Sequence, residues 1–194
     1  MQAVMLKPEH QLALVEVPEP VLDGTGQMLV KVTTTAICGS DLHIKYGEIP
    51  IAPETVIGHE FVGVVEEAAD DVKSFKPGDR VNVPAALWCG CCPACRRGEV
   101  QYCQVGGIYG GGFFQGHPLP GAQTEYVKVY NSDMCAVKVP DNVADEQAIL
   151  VGDVLSTGYH SVLEGNVSPG DTLAVFGCGP VGLCALAAAK LFGP

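Results

Sequence analysis

Thr172-Leu173-Ala174-Val175-Phe176 is followed at once by Gly177-Cys178-Gly179-Pro180-Val181-Gly182. The first five residues form an apolar run of the kind that a buried strand needs, and the glycines after it mark a tight turn. An Ala- and Leu-rich run to Leu191 then predicts a helix. Strand, glycine turn and helix in that order form the opening unit of a parallel α/β domain. Ser168-Pro169-Gly170-Asp171 separates this unit from what precedes it.

Upstream the pattern is different. Leu12–Val17, Met28–Ile37, Phe61–Ala68 and Gln123–Tyr130 are rich in β-branched residues and bounded by Pro, Gly or Asp, so they are predicted as strands. Lys76-Pro77-Gly78-Asp79-Arg80-Val81 reads as a turn feeding another strand. From Asp145 a helical pattern is expected to run to Leu163, broken near Gly158. The expected organisation is a mainly β domain over residues 1–154 and the first βα unit of an α/β domain over 155–194. Such a domain needs several βα units, so the chain is expected to stop early within it.

Composition excludes some functions. The 194 residues carry 11 Lys plus Arg against 22 Asp plus Glu, a formal charge of −11, which repels phosphate backbones and anionic lipid. No nucleic-acid or membrane partner is expected. The 47% hydrophobic content supplies a core and argues against disorder. No secretory leader is read at the N-terminus, and the uncharged run Leu173–Ala189 is cut by glycines and Pro180, so a cytoplasmic protein is expected.

Five of the nine cysteines fall within Cys89–Cys103. Cys89, Cys92, Cys95 and Cys103 have the short spacers and one longer spacer that close four thiolates around a zinc ion, with Cys91 spare. A closed four-thiolate site stabilises a fold and leaves no position for substrate. A second set is scattered: Cys38 in Ile37-Cys38-Gly39-Ser40-Asp41-Leu42-His43, His59 in Gly58-His59-Glu60, and Asp153 after Gly152. One thiolate, one imidazole and one carboxylate would leave a fourth zinc position open, as catalysis requires. Taken singly, each of these residues has a structural explanation, and separation in sequence does not establish that they converge.

Six motifs taken in order, Ile37–His43, Gly58–Val65, Lys76–Val81, the cysteine lobe, Ser156-Thr157-Gly158-Tyr159 and Val175–Gly182, resemble the zinc-containing medium-chain alcohol dehydrogenases over essentially the whole chain. The resemblance implies a GroES-like, partly opened β-barrel followed by the start of a Rossmann domain for NAD or NADP. It implies two zinc ions per chain, one catalytic and one structural, and a homo-oligomer, dimer or tetramer, in the full-length protein. By position, Cys38 and His59 match catalytic zinc ligands. Asp153 stands where many members have Cys and where the formaldehyde-dehydrogenase-like and some secondary-alcohol branches have Asp, a harder ligand. Glu60 matches a carboxylate that exchanges at the fourth position, and Asp41 the group that fixes His59. Ser40 matches the hydroxyl that takes the alcohol proton, and His43 the relay that carries it out through the nucleotide ribose.

Gly177, Gly179 and Gly182 spell G-x-G-x-x-G after an apolar strand, the context that gives the pattern meaning. With Pro180 and Val181 they would seat a pyrophosphate at a helix N-terminus, and Thr157 matches a position lining the nicotinamide pocket. The acidic or basic residue that separates NAD from NADP would lie beyond Pro194. His10, His117 and His160 are read as structural, and Cys178 and Cys184 as small core residues. The expected activity is hydride transfer between an alcohol and NAD(P), giving an aldehyde or ketone. A non-catalytic zinc-stabilised module and a zinc-free reductase on the same fold are the alternatives. The 194-residue chain by itself is expected to show no turnover.

Overall fold

A computed structural model describes all residues from Met1 to Pro194. The strands are β1 (Gln2–Lys7), β2 (Gln11–Glu16), β3 (Met28–Thr35), β4 (Thr55–Val56), β5 (Phe61–Ala68), β6 (Arg80–Val83), β7 (Ala86–Leu87), β8 (Gly107–Ile108), β9 (Gly112–Phe114), β10 (His117–Leu119), β11 (Tyr126–Val129) and β12 (Val137–Lys138). The helices are α1 (Gly39–Lys45), α2 (Pro93–Arg96), α3 (Ser132–Cys135), α4 (Asp145–Ala148), α5 (Val154–Glu164) and α6 (Pro180–Ala189). The chain divides into two compact units, Met1–Ile149 and Leu150–Pro194.

The first unit is built on an antiparallel sheet in the order β11-β3-β5-β6-β12. Its centre is β5, where Phe61, Val62 and Val65 are almost completely buried beside Val81 and Val83 of β6. Each such side chain contributes about 1.5–3 kcal/mol when removed from water. Two register shifts in the β3·β5 ladder bend the sheet. Between them Gly63 lets β3 approach so closely that a Cβ would collide with the Lys31 carbonyl. A second sheet, β2-β1-β4, is tied in through residues before β11: Val4 N–H donates to Gln123 O at 2.8 Å, and Val32 N–H donates to Glu125 O at 2.9 Å. The result is a partly opened β-barrel, as the resemblance implies.

At the end of the unit, Asp145 at the start of α4 accepts from Thr33 Oγ1 of β3 at 2.6 Å and from the Arg80 guanidinium of β6. The Thr33 hydroxyl first and Arg80 second hold its carboxyl below the ordinary carboxylate range. A depressed folded-state pKa stabilises the fold above the unfolded value and loses that effect as pH falls through the folded one. Asp145→Asn is therefore expected to cost about 1–2 kcal/mol near neutral pH. The difference from wild type should shrink in urea melts run below about pH 4.

The second unit holds α5 and α6 together through Val162, Ala185, Ala188 and Ala189, with Val167 and Phe192 alongside. Gly158 is interior to α5 and is not a break. A Cβ there would lie 2.6 Å from the Ala185 backbone nitrogen, so the residue is the close-approach point of the two helices. The interruption of the helical stretch lies instead at 149–153, where a 3₁₀ turn precedes α5. Thr172–Phe176 forms no strand, against expectation, and Phe176 is 97% exposed. A parallel strand is satisfied only by neighbouring strands, and this unit contains none. Cys178 is exposed and Cys184 partly buried, so neither is the core residue expected.

Candidate active site and metal centres

Cys38 caps the N-terminus of α1, and the turn of helix that follows gathers the site. Asp41, 2% exposed, accepts from the Cys38 backbone N–H at 2.9 Å through Oδ2. Its other oxygen, Oδ1, lies 3.7 Å from Nδ1 of His59. Ser40 Oγ is 3.3 Å from the opposite ring nitrogen, Nε2. The imidazole is therefore set between a buried carboxylate and a hydroxyl. His59 and Glu60 are themselves buried, on the approach to β5. Cys38, His59 and Glu60 each place a ligand atom within 4.8 Å of the others. That spacing fits a shared cation, because ligands at about 2.0–2.3 Å from zinc stand roughly 3.3–3.8 Å apart in a tetrahedron.

One participant was not legible beforehand. Gln123 donates from Nε2 to Asp41 Oδ2 at 3.1 Å, steadying the carboxylate that faces His59. It is pressed against Gly58 (φ +95°), where a Cβ would meet Gln123 Cγ at 2.6 Å. Gly58 beside His59 is thus the place where two backbones come together, and that glycine was the available signal. His43 lies on the solvent side of α1, with Nδ1 against the Glu48 carboxylate. A cavity of about 680 Å³ elsewhere in the first unit, lined by Val21, Phe113, Tyr126 and Tyr130 among others, includes none of these site residues.

In the cysteine lobe, Cys89, Cys92, Cys95 and Cys103 offer sulfurs that all fall within 4.8 Å of one another, and Cys89 and Cys95 are 3.9 Å apart. A zinc–sulfur distance of about 2.3 Å sets a tetrahedral edge of roughly 3.8 Å, so the donor set fits zinc. Backbone N–H groups are aimed at the sulfurs. Cys92 N–H donates to Cys89 Sγ, and Cys89 N–H to Cys103 Sγ, each at 3.3 Å. The Cys91 and Cys92 N–H groups bring the Cys89 thiol down to about 6, whereas desolvation and the neighbouring thiols push Cys95 up to about 12. Metal binding here must displace protons and is weakened by acid. Buried Cys135 on α3 accepts from Trp88 N–H at 3.5 Å and donates to Trp88 O at 3.4 Å, anchoring the segment that leads into the lobe.

In the second unit, Asp153 immediately precedes α5. Its carbonyl accepts from Thr157 N–H at 2.8 Å and from Ser156 Oγ at 2.7 Å, and its Oδ1 accepts from Thr157 Oγ1 at 3.2 Å. The glycine turn has the form that its spacing requires. Gly177 takes φ +101°, and a Cβ on Gly182 would collide with the Gly177 carbonyl. Around Gly179 a Cβ would meet nothing within 4 Å, so packing inside the protein does not account for that glycine. Gly179 caps α6, Pro180 and Val181 open it, and the first turn carries no acidic side chain. Free N–H groups and the positive helix end therefore face outward there.

Against known proteins, residues 24–141 match the family described as the alcohol dehydrogenase GroES-like domain. The chain belongs to the medium-chain alcohol dehydrogenase family. It is 39% identical over 194 aligned positions to the zinc-type alcohol dehydrogenase-like protein AdhB of Bacillus subtilis, covering 95% of this chain and 51% of that protein. Among solved structures, the alcohol dehydrogenase of Thermus sp. ATN1 superposes with a TM-score of 0.94 at 44% identity, covering 100% of this chain and 56% of that one. A protein described as a short chain alcohol dehydrogenase from Escherichia coli, solved in complex with NADH, superposes at 0.85 with 32% identity, over 98% of this chain and 53% of that one. The chain thus spans about half the length of the relatives it matches. None of its helices is long and apolar enough to cross a membrane.

Proposed function

We propose that this member of the alcohol dehydrogenase family serves a zinc-dependent transfer of hydride between a small-molecule alcohol and NAD or NADP, giving an aldehyde or ketone. The observation that carries this reading is the meeting of Cys38, His59 and Glu60 within 4.8 Å, with Asp41 beside the imidazole. Cys38, His59 and Asp153 are the proposed ligands of a catalytic zinc, and Glu60 would supply an exchangeable carboxylate beside it. Cys89, Cys92, Cys95 and Cys103 would hold a structural zinc. When bound, the catalytic ion supplies Lewis-acid polarisation of the alcohol oxygen, and the nicotinamide supplies the hydride acceptor.

The chain's own residues would do the rest. Asp41, steadied by Gln123, orients His59 and raises its basicity as a ligand. Ser40, within reach of the same ring, accepts the alcohol proton, and His43 on the exposed side of α1 passes it towards solvent. Gly177, Gly179, Pro180, Val181 and Gly182 receive the pyrophosphate on the N-terminus of α6, and Thr157 borders the nicotinamide. In this reading residues 1–154 form the catalytic domain and 155–194 open the nucleotide-binding one. The whole protein is proposed to be a homo-oligomer.

The test is reduction of NAD or NADP by a panel of primary and secondary alcohols, using the intact natural protein that carries this chain. Alcohol-dependent formation of reduced nicotinamide is expected. Ser40→Ala should lower kcat by about 10²-fold or more without loss of zinc. Absence of any alcohol-dependent reduction by zinc-replete protein would favour the non-catalytic module.

A further inference from the structure

The lobe holds one more thiol than a four-coordinate zinc site uses. Cys91 Sγ lies 3.7 Å from Cys89 Sγ, closer than Cys95 Sγ at 3.9 Å, yet Cys91 is exposed while the four proposed ligands are partly buried. Free cysteine is among the most buried residue types, so an exposed thiol against a metal-ligand sulfur is not explained by packing. Only Gly90, at φ +73°, separates the two cysteines.

We propose that Cys89 and Cys91 form an oxidation-sensitive pair, which hydrogen peroxide converts to a disulfide with release of the zinc that the lobe holds. This rests on the reading of the lobe as a structural zinc site. In the first step the accessible Cys91 sulfur attacks the peroxide, the O–O bond breaks, water leaves and Cys91 becomes a sulfenic acid. Cys89 Sγ then attacks the Cys91 sulfur and the S–O bond breaks. The departing hydroxide takes up a proton and leaves as a second water. In sum one thiol and one zinc-bound thiolate lose two electrons, and with the proton of that thiol and one proton from water the peroxide is reduced to two waters. The sulfurs must close from 3.7 Å to about 2.05 Å, a movement that two side-chain rotations about a glycine hinge can supply. Cys89 can then no longer serve as a thiolate ligand, and three thiolates hold zinc less tightly than four.

The experiment uses the zinc-replete chain, its metal content first measured by elemental analysis, treated with hydrogen peroxide in the presence of a chromogenic zinc chelator. Disulfides are mapped afterwards by peptide mass spectrometry. Wild type is expected to release lobe zinc in step with a Cys89–Cys91 disulfide and to rebind it after reduction. Cys91→Ser should carry the same starting zinc and release lobe zinc at least about tenfold more slowly. Release from the Cys38 site, being common to both proteins, subtracts out. Equal release rates, or a mapped disulfide that excludes Cys91, would overturn the proposal. So would a Cys91→Ser protein lacking its starting zinc, since Cys91 would then be a ligand. If wild type and Cys92→Ser begin with the same zinc content, the four-thiolate reading itself has failed, whatever Cys91 does.

Discussion

In the intact natural protein that carries this chain, Cys38→Ser is expected to remove one zinc per chain and to lower alcohol-dependent nicotinamide reduction by roughly 10³–10⁴-fold, with little change in the far-ultraviolet circular dichroism. The magnitude follows from the several kcal/mol that Lewis-acid polarisation contributes to such a reaction, at about 1.4 kcal/mol per factor of ten. The small effect on folding follows from position. Cys38 is partly exposed at the start of α1, and the turn there is held by the Cys38 N–H to Asp41 carboxylate bond, which the substitution leaves in place. Serine keeps the shape of cysteine but is a far poorer zinc ligand. A Cys38→Ser protein with full zinc and full turnover would remove this residue from the catalytic set.

The opposite balance is expected at the lobe. Cys92→Ser should lose the other zinc, lower the melting temperature substantially and open residues 88–106 to limited proteolysis. The local structure there has little else to hold it: α2 is four residues long, and a three-residue 3₁₀ turn follows at Val100–Tyr102. Helices of that length do not persist alone. Apart from Ala94, no side chain from 89 to 106 is buried. Structural zinc contributes on the order of 10 kcal/mol of folding free energy in small thiolate sites, so losing one of four ligands should cost a large part of the lobe's stability. A Cys92→Ser protein that resists protease as wild type does would show that packing, not metal, orders the lobe.

Much of this architecture was legible in the residues. The β-branched content of Phe61–Ala68 gave the central strand with its observed bounds, because Phe61, Val62 and Val65 are carried into the core. The cysteine spacing gave a four-sulfur cluster, because short spacers leave the ligands few other places to go. What could not be read depended on distant partners. Gln123 reaches Asp41 from 82 positions away and carries no local signature. Thr172–Phe176 has strand composition, but a parallel strand is a property of its neighbours as much as of its own side chains. Gly158 looked like a helix breaker because a glycine's cost is visible in sequence, whereas the backbone of α6 lying against it is not. Cys91 was set aside as spare by counting, and only the 3.7 Å contact with Cys89 gave it a chemistry.

The chain is proposed to build two separate zinc sites, one of them from Cys38 and His59. Elemental analysis of gel-filtered protein, purified without chelator, tests it most directly when wild type, Cys38→Ser and Cys92→Ser are compared. Two zinc ions per chain are expected in wild type and one in each variant. A single zinc in wild type, lost on replacing Cys92 and unchanged on replacing Cys38, would contradict it.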